Sequence, residues 1–426
     1  MTSTVEPGSG LDADPNRVPS DFGAYWENAN KPAVRRGRRA FKALFRFDPL
    51  PSAENAEKLA FGYYDGDDLA DAFVEAIDSA PSIAEAWRML DQAIEHGVDT
   101  VPDAPVLLTR LFDDLADEPA WVDHELVELG AKAFRRYGPA VFSVAGATTL
   151  LGYTESSIAK PLALTGAYIG DSARKRHMET ARFWIDISEP GALRPGGRGR
   201  ATAIRVRVMH AAVRRRVIEH REWDVAAWGV PICQSDALLT LIAGSLAPGF
   251  ALRSMGYRTS IAEIEAMMHF WRYIGHLMGV RPRWYPTDVK QAIQISAAFA
   301  LKRRFGAGAD GVELIESYPA AFRPKPGATA RQRLRDELNY RAQLGYTRYF
   351  LPGSFYRRYV MPNPWPWALH PLLQAPVIFA VESLRRRSTR VEHLQDRYAS
   401  WRRETWWRNE MRAEDAGFRV VEWLRR

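Results

Sequence analysis

The chain has 426 residues, 46% of them hydrophobic, which is enough for a sizeable core and excludes a mostly disordered protein. The single cysteine, Cys233, excludes a disulfide framework and a Cys-rich zinc site, no Cys-x-x-Cys-His exists for a c-type haem, and a reducing, cytoplasmic setting is the natural expectation. A net charge of +7 suits anionic partners (nucleic acid, a lipid surface or an acidic ligand) without choosing among them.

Residues 1–25 read as a disordered tail, rich in Gly, Pro, Ser and Asp from Met1 to Pro19, with no apolar run of the kind a secretory signal needs. Arg38-Arg39-Ala40-Phe41-Lys42 has the look of a twin-arginine signal, but Arg46, Asp48, Pro49 and Pro51 interrupt the hydrophobic segment that export requires. Apolar residues at three- and four-residue spacing then predict helices over 67–80, 82–96, 106–115, 125–136 and 140–151, the second opened by the capping box Ser82-Ile83-Ala84-Glu85. A long helix is expected over 156–187, broken near Pro161 or Gly170. The Gly/Pro-rich loop Glu189 to Arg200 follows, then helices over 202–223, 235–246 and 260–279, the last with the capping box Ser260-Ile261-Ala262-Glu263. Alternating strands are scarce, so the expected fold class is all-α.

From residue 361 the chain reads as a basic, aromatic-rich C-terminal extension. Trp365 to Leu384 is about long enough to cross a bilayer, but Pro366, Pro371, Pro376, His370, Gln374 and Glu382 argue against a lipid-exposed span. Arg385-Arg386-Arg387 and the tryptophans 401, 406, 407 and 423 follow. Burial against the rest of the chain and peripheral membrane contact are the two readings of this region. No recognised nucleic-acid motif is present.

One stretch carries chemistry. On a helix, Val206, His210, Val213 and Val217 share a face, so His210 points where apolar side chains point, with Arg207 and Arg214 about one turn either side. A b-type haem needs such an arrangement: a ring nitrogen for the iron, valines against the porphyrin, and arginines for the propionates. The bland reading is a core histidine bonded to a backbone carbonyl. On the preceding helix Arg176, Thr180, Phe183 and Trp184 share a face, and an arginine and a hydroxyl there can donate to iron-bound oxygen. Their bland readings are a salt-bridged arginine and a threonine bonded to its own turn.

Arg-x-x-x-Thr on one helix, a Gly/Pro loop, then Arg-Val-Arg-x-x-His-Ala-x-Val-Arg on the next resembles the MpaB-type oxygenase and rubber-oxygenase family. Gly229-Val230-Pro231, Gln234 and Asp236, and the helix bearing Trp271, Gly275 and Gly279, extend the resemblance over roughly 170–280. The resemblance implies a globin-like helical core with surrounding helices, making a haem domain over 26–360. It implies haem b ligated by His210, and Arg176 and Thr180 near the haem. The implied reaction adds dioxygen across a carbon–carbon double bond of a small lipophilic, isoprenoid substrate; no electron donor is indicated. Two positions depart from the family pattern. Glu179 stands where a lysine can cap the iron, and Ile158-Ala159-Lys160 holds no carboxylate where a general base is expected, with Glu155 nearby. The alternatives are a non-catalytic haem or redox protein of the same fold and a peripheral membrane-binding protein.

Other metal chemistries are poorly supported. His124-Glu125-Leu126-Val127-Glu128 lacks the second histidine of a zinc-protease helix. Glu265, His269, Arg272 and His276 form a polar stripe, expected to be a solvated or salt-bridged helix face.

Overall fold

The computed structural model describes residues 18–78, 83–166, 171–324 and 329–411, and every regular element in them is helical. The first helices are α1 (Gly23–Ala29), α2 (Pro32–Phe45), α3 (Ala53–Phe61), α4 (Asp68–Asp78), α5 (Ile83–His96) and α6 (Val106–Ala116). The middle of the chain forms α7 (His124–Arg135), α8 (Ala140–Gly152), α9 (Ser156–Leu164), α10 (Asp171–Ser188), α11 (Arg198–Ile218), α12 (Val225–Trp228), α13 (Gln234–Ala251) and α14 (Ile261–Leu277). The last third adds α15 (Val289–Lys302), α16 (Gly308–Ala321), α17 (Ala330–Phe350), α18 (Gly353–Arg358), α19 (His370–Arg385) and α20 (Thr389–Met411).

The core is built round α14. The Ser260 hydroxyl accepts from the Glu263 N–H while the Glu263 carboxylate accepts from the Ser260 N–H, so the expected capping box forms. Beyond that cap the helix is apolar on most sides; Ile264, Met267, Phe270, Trp271 and Ile274 are all buried. A helix of that kind must be surrounded, and α7, α13 and α11 pack on it. The helix and turn over Gln234–Met255 are the one described segment long and apolar enough to cross a membrane, and 56% of that window is buried inside the protein.

Several boundaries differ from expectation. The helix expected over 156–187 is broken into two as anticipated, but Pro161 is held inside α9, which ends at Leu164; Gly170 and Ser82 lie outside the described residues. Residues 1–17 of the expected tail also lie outside, whereas Phe22 and Tyr25 are buried in the main core. At the other end α19 and α20 dock on the core through ion pairs: Glu382 with Arg136, Asp396 with Arg135, Glu404 with Arg182, and Glu410 with Arg174.

Candidate functional site

The α10–α11 hairpin sets the site. After α10 the chain turns through the Gly/Pro loop, and the Arg200 N–H donates to the Ala192 carbonyl at 2.9 Å. The helices then touch backbone to backbone: a Cβ on Gly199 would lie 2.7 Å from the Ile187 Cα. That contact fixes the register. Eleven residues back from Ile187 is Arg176, and eleven on from Gly199 is His210. With equal rise along two antiparallel helices, Arg176 and His210 stand at the same level.

α11 is wedged between unlike neighbours. Val208, Ala211 and Ala212 pack with Phe73, Leu90 and Leu108 of the α4–α6 cluster. On the opposite side Val206 joins the main core, and Val217 packs with Leu164 and Trp223. His210 belongs to that second side. Its ring is crowded by protein yet keeps some accessible surface, and it makes no hydrogen bond to any described residue. Burial, helped by the Arg214 charge and opposed by Asp67, pushes its pKa down to about 4. The ring is therefore neutral near pH 7, with an unprotonated nitrogen available, and the backbone-carbonyl partner of the bland reading is absent.

The flanking arginines are placed differently. Arg207 is fully buried and donates twice to Asp67, at 2.7 and 2.9 Å, and once to Asp114 at 2.7 Å. Arg214 pairs with Asp71 and donates to the Pro231 and Ile232 carbonyls at 3.0 and 3.1 Å. Protein acceptors stand where the sequence reading places haem propionates. The downstream motif residues join the same knot. The Gln234 side chain donates to the Gly279 carbonyl at 3.0 Å and accepts from the Arg281 N–H at 2.6 Å. Gly279, at φ +71°, lies so close to the Asp67 carboxylate that a Cβ would overlap it. Arg216 lies about 120° round the helix from His210, off the face of the site. It has a buried Nη1 with no acceptor, unlike its neighbour Arg215, which pairs with Asp78 at 3.1 Å. The run Arg214-Arg215-Arg216 gives no sign of which member is left over.

On α10, Arg176 pairs with the buried Glu179 at 2.8 Å, and the Thr180 hydroxyl donates to the Arg176 carbonyl at 3.1 Å. Both bland readings thus describe real contacts. A hydroxyl has one proton to give, whereas a guanidinium has five N–H groups, so Arg176 keeps donor capacity. Thr180 sits about 40° round the helix from Arg176 and lines a cavity of about 70 Å³ together with Phe142, Met178, Trp184, Tyr318 and Trp406.

The other sequence candidates fall away from this hairpin. Glu155 stands at the residue before α9 without a side-chain capping bond, buried, with Lys302 at 3.5 Å; burial raises its pKa although Lys302 opposes the shift. Lys160 pairs with Glu222 and Asp310. His124 lies 2.9 Å from Glu118, and Glu128 accepts from the Gly191 N–H. The stripe on α14 corrects the expectation of a solvated face. Arg272 lies over the rings of Trp121 and Tyr285, at 4.0 and 4.8 Å, and His276 is buried with Nε2 lacking a partner. No group of three or more potential metal ligands occurs among the described residues. Haem iron needs only one protein donor.

The chain is similar in sequence and in fold to known proteins. The family described as ER-bound oxygenase mpaB/B′/rubber oxygenase, catalytic domain, matches residues 134–380, more than half of the chain. A rubber oxygenase of Streptomyces sp. (strain K30) is 29% identical over 263 residues, which is 58% of this chain and 61% of that protein, so the chain spans less than two thirds of that relative's length. The structure of latex clearing protein LCP in the closed state superposes with a TM-score of 0.59 at 20% identity, covering 80% of this chain and 91% of that one, which establishes the shared all-α fold. A match that runs from the end of α7 into α19 and contains the whole α10–α11 hairpin makes this chain a member of the mpaB/rubber oxygenase catalytic-domain family.

Proposed function

We propose that the chain is a haem b-dependent oxygenase acting on a lipophilic, isoprenoid-like alkene, with His210 as the iron ligand. The observation that carries the reading is the state of His210. It is crowded, neutral and without a hydrogen-bond partner among the described residues, on the helix where the family motif places a histidine. A buried polar ring normally finds a partner, and an unbonded imidazole nitrogen is suited to a metal.

The residues fit the group in part. His210 offers the nitrogen and Val206 and Val213 the flanking apolar surface. Arg207 and Arg214 act as positioning residues that hold α11 against α4 and the 229–233 loop. A bound haem would supply the iron at which dioxygen is activated. Arg176, level with His210 along the hairpin, keeps N–H groups that Glu179 does not occupy, and these would be its means of orienting dioxygen. Glu179 accepts from Arg176 and cannot act as the cationic cap that a lysine provides. The largely apolar cavity beside Thr180 offers Phe142, Trp184 and Trp406 as a surface against which part of an alkene chain would lie.

The test is an absorption spectrum with a pyridine haemochrome assay on wild type and His210→Ala. Expected is about one haem per wild-type chain and loss of haem from the variant. Full haem content with an unchanged Soret band in His210→Ala would sink the assignment. Oxygen uptake by the reduced protein with an isoprenoid alkene then separates catalysis from haem binding without turnover.

A further inference from the structure

Helices α19 and α20 are amphipathic in the reverse of the usual sense. The buried face of α19 carries Glu382, fully enclosed and bonded to Gln395 at 2.7 Å, with the Arg136 and Arg385 guanidinia at 3.3 Å. Its outward face carries Leu373, Val377 and Leu384, with 75%, 67% and 55% of their surface exposed. The α20 helix continues the pattern with exposed Leu394, Tyr398 and Trp401 at i, i+4 and i+7. Leaving aliphatic side chains in water while burying charge runs against the hydrophobic effect, and a contiguous apolar patch of this kind marks an interaction surface.

Charge names the partner. The carboxylates Glu382, Glu392, Asp396, Glu404 and Glu410 are turned inward into ion pairs with Arg136, Lys132, Arg135, Arg182 and Arg174. The arginines 386, 387, 390 and 397 are exposed and have no carboxylate partner among the described residues; Arg402 lies over the Tyr398 ring at 5.9 Å and donates to its hydroxyl at 3.4 Å. The outward face is thus leucine, valine and aromatic residues rimmed by uncompensated cations. A second copy docked by two-fold symmetry would bring the same arginine-rimmed face against itself. An anionic bilayer would neutralise the rim and take the apolar side chains into its headgroup–acyl boundary, where Tyr and Trp also favour lying.

We propose that the outer face of the α19–α20 hairpin is an interfacial docking surface for an anionic lipid bilayer. The helices lie in the plane of the surface and do not span it; α19 is 16 residues long and carries Pro376 and the buried Glu382. The same α20 helix sends Trp406 inward, stacked on Phe142 with centroids 4.7 Å apart, to wall the Thr180 cavity. The docked hairpin therefore brings that cavity wall to the phase in which a lipophilic ligand dissolves.

The test is co-sedimentation of the haem-free full chain with phosphatidylcholine vesicles and with vesicles that also contain phosphatidylglycerol, so its outcome is independent of haem binding. Three or more arginines near the surface predict binding on the order of 100-fold tighter to the anionic vesicles, weakened by salt. Leu373→Glu/Val377→Glu should abolish sedimentation. Arg386→Gln/Arg390→Gln should remove the preference for anionic lipid by about tenfold or more. Leu373→Gln/Val377→Gln, checked by its melting transition, serves if the glutamate variant misfolds. Three results would overturn the proposal: no binding by wild type, variants that bind like wild type, or a lipid-free dimer that the same substitutions dissolve.

Discussion

Arg207→Met separates the two roles available to this arginine. In the structure its charge serves Asp67, which is nearly buried and takes two of its hydrogen bonds; Asp114 is more open and keeps Arg281 at 2.9 Å. The loss therefore falls mainly on Asp67. Breaking a buried pair usually costs about 3–5 kcal/mol. The stranded carboxylate can escape by taking a proton, and at pH 7 that escape costs about 4 kcal/mol for an ordinary aspartate, which caps the charge term. At pH 5 the cap falls to about 1.5 kcal/mol. Urea unfolding of the haem-free protein, followed by circular dichroism, should show Arg207→Met destabilised by about 3–4 kcal/mol at pH 7 and by less than half of that at pH 5. Adding Asp67→Asn should recover most of the loss, because asparagine keeps the Asp67 cap on α4 without the charge. If Arg207→Met leaves the haem-free protein as stable as wild type and only weakens haem binding, the structural role assigned to Arg207 is wrong.

Three other predictions rest on separate features. Gly199→Ala should cost about 1–3 kcal/mol and weaken haem retention, since its Cβ would press on the Ile187 backbone and part the hairpin; an unchanged melting temperature would contradict the close contact. His177 and His276 are held neutral by burial, with pKa values pushed down to about 3 and about 4, Arg281 adding to the effect at His276. The unfolded chain then binds more protons below about pH 6.5, so stability is fully present above that value and lost as pH falls towards 4. A melting temperature that rises between pH 6.5 and 5 would exclude this, and His276→Gln should flatten the acid slope. Trp406→Ala should open the Thr180 cavity at a cost of about 3–5 kcal/mol and admit small apolar molecules such as benzene; ligand-induced shifts in thermal unfolding report on uptake, and their absence would show that the site collapses.

The helices were legible because their signal is local. Apolar spacing marks α4, α6, α7, α8 and α14, and the Ser260 capping box forms as read. Their ends were less so. α11 begins at Arg198, four residues before the expected start, because Gly199 lets the first turn lie against α10, a contact invisible in a helical period. α13 runs through Pro248 to Ala251 instead of stopping at Leu246. The site divides in the same way. That His210 lies on an apolar stripe follows from spacing alone. That Arg207 is occupied depends on Asp67 and Asp114, 140 and 93 residues away in the chain, and no local pattern reports partners at that separation.

This separation changes what the motif means. Read along the helix, Arg-x-x-His-x-x-x-Arg presents three groups to one ligand. In three dimensions the arginines turn to Asp67, Asp114 and Asp71, Gly279 lies against the Asp67 carboxylate, and Gln234 donates to the Gly279 carbonyl. Asp236, further along, accepts from the Tyr63 hydroxyl at 2.8 Å. Among the polar side chains of the motif, His210 and the Trp271 indole are left without a hydrogen-bond partner. An indole N–H can only donate, so His210 is the member able to bind a metal. The other residues hold α11 rigid against α4 and the 229–233 loop, and the proposed ligation would need that, because a single bond to iron leaves an imidazole free to tilt and swing unless its helix is held. The fixed order of these residues along the chain is therefore as much the signature of a scaffold as of a reaction, and on α10 Glu179, where the family pattern has a lysine, has taken Arg176 as its partner.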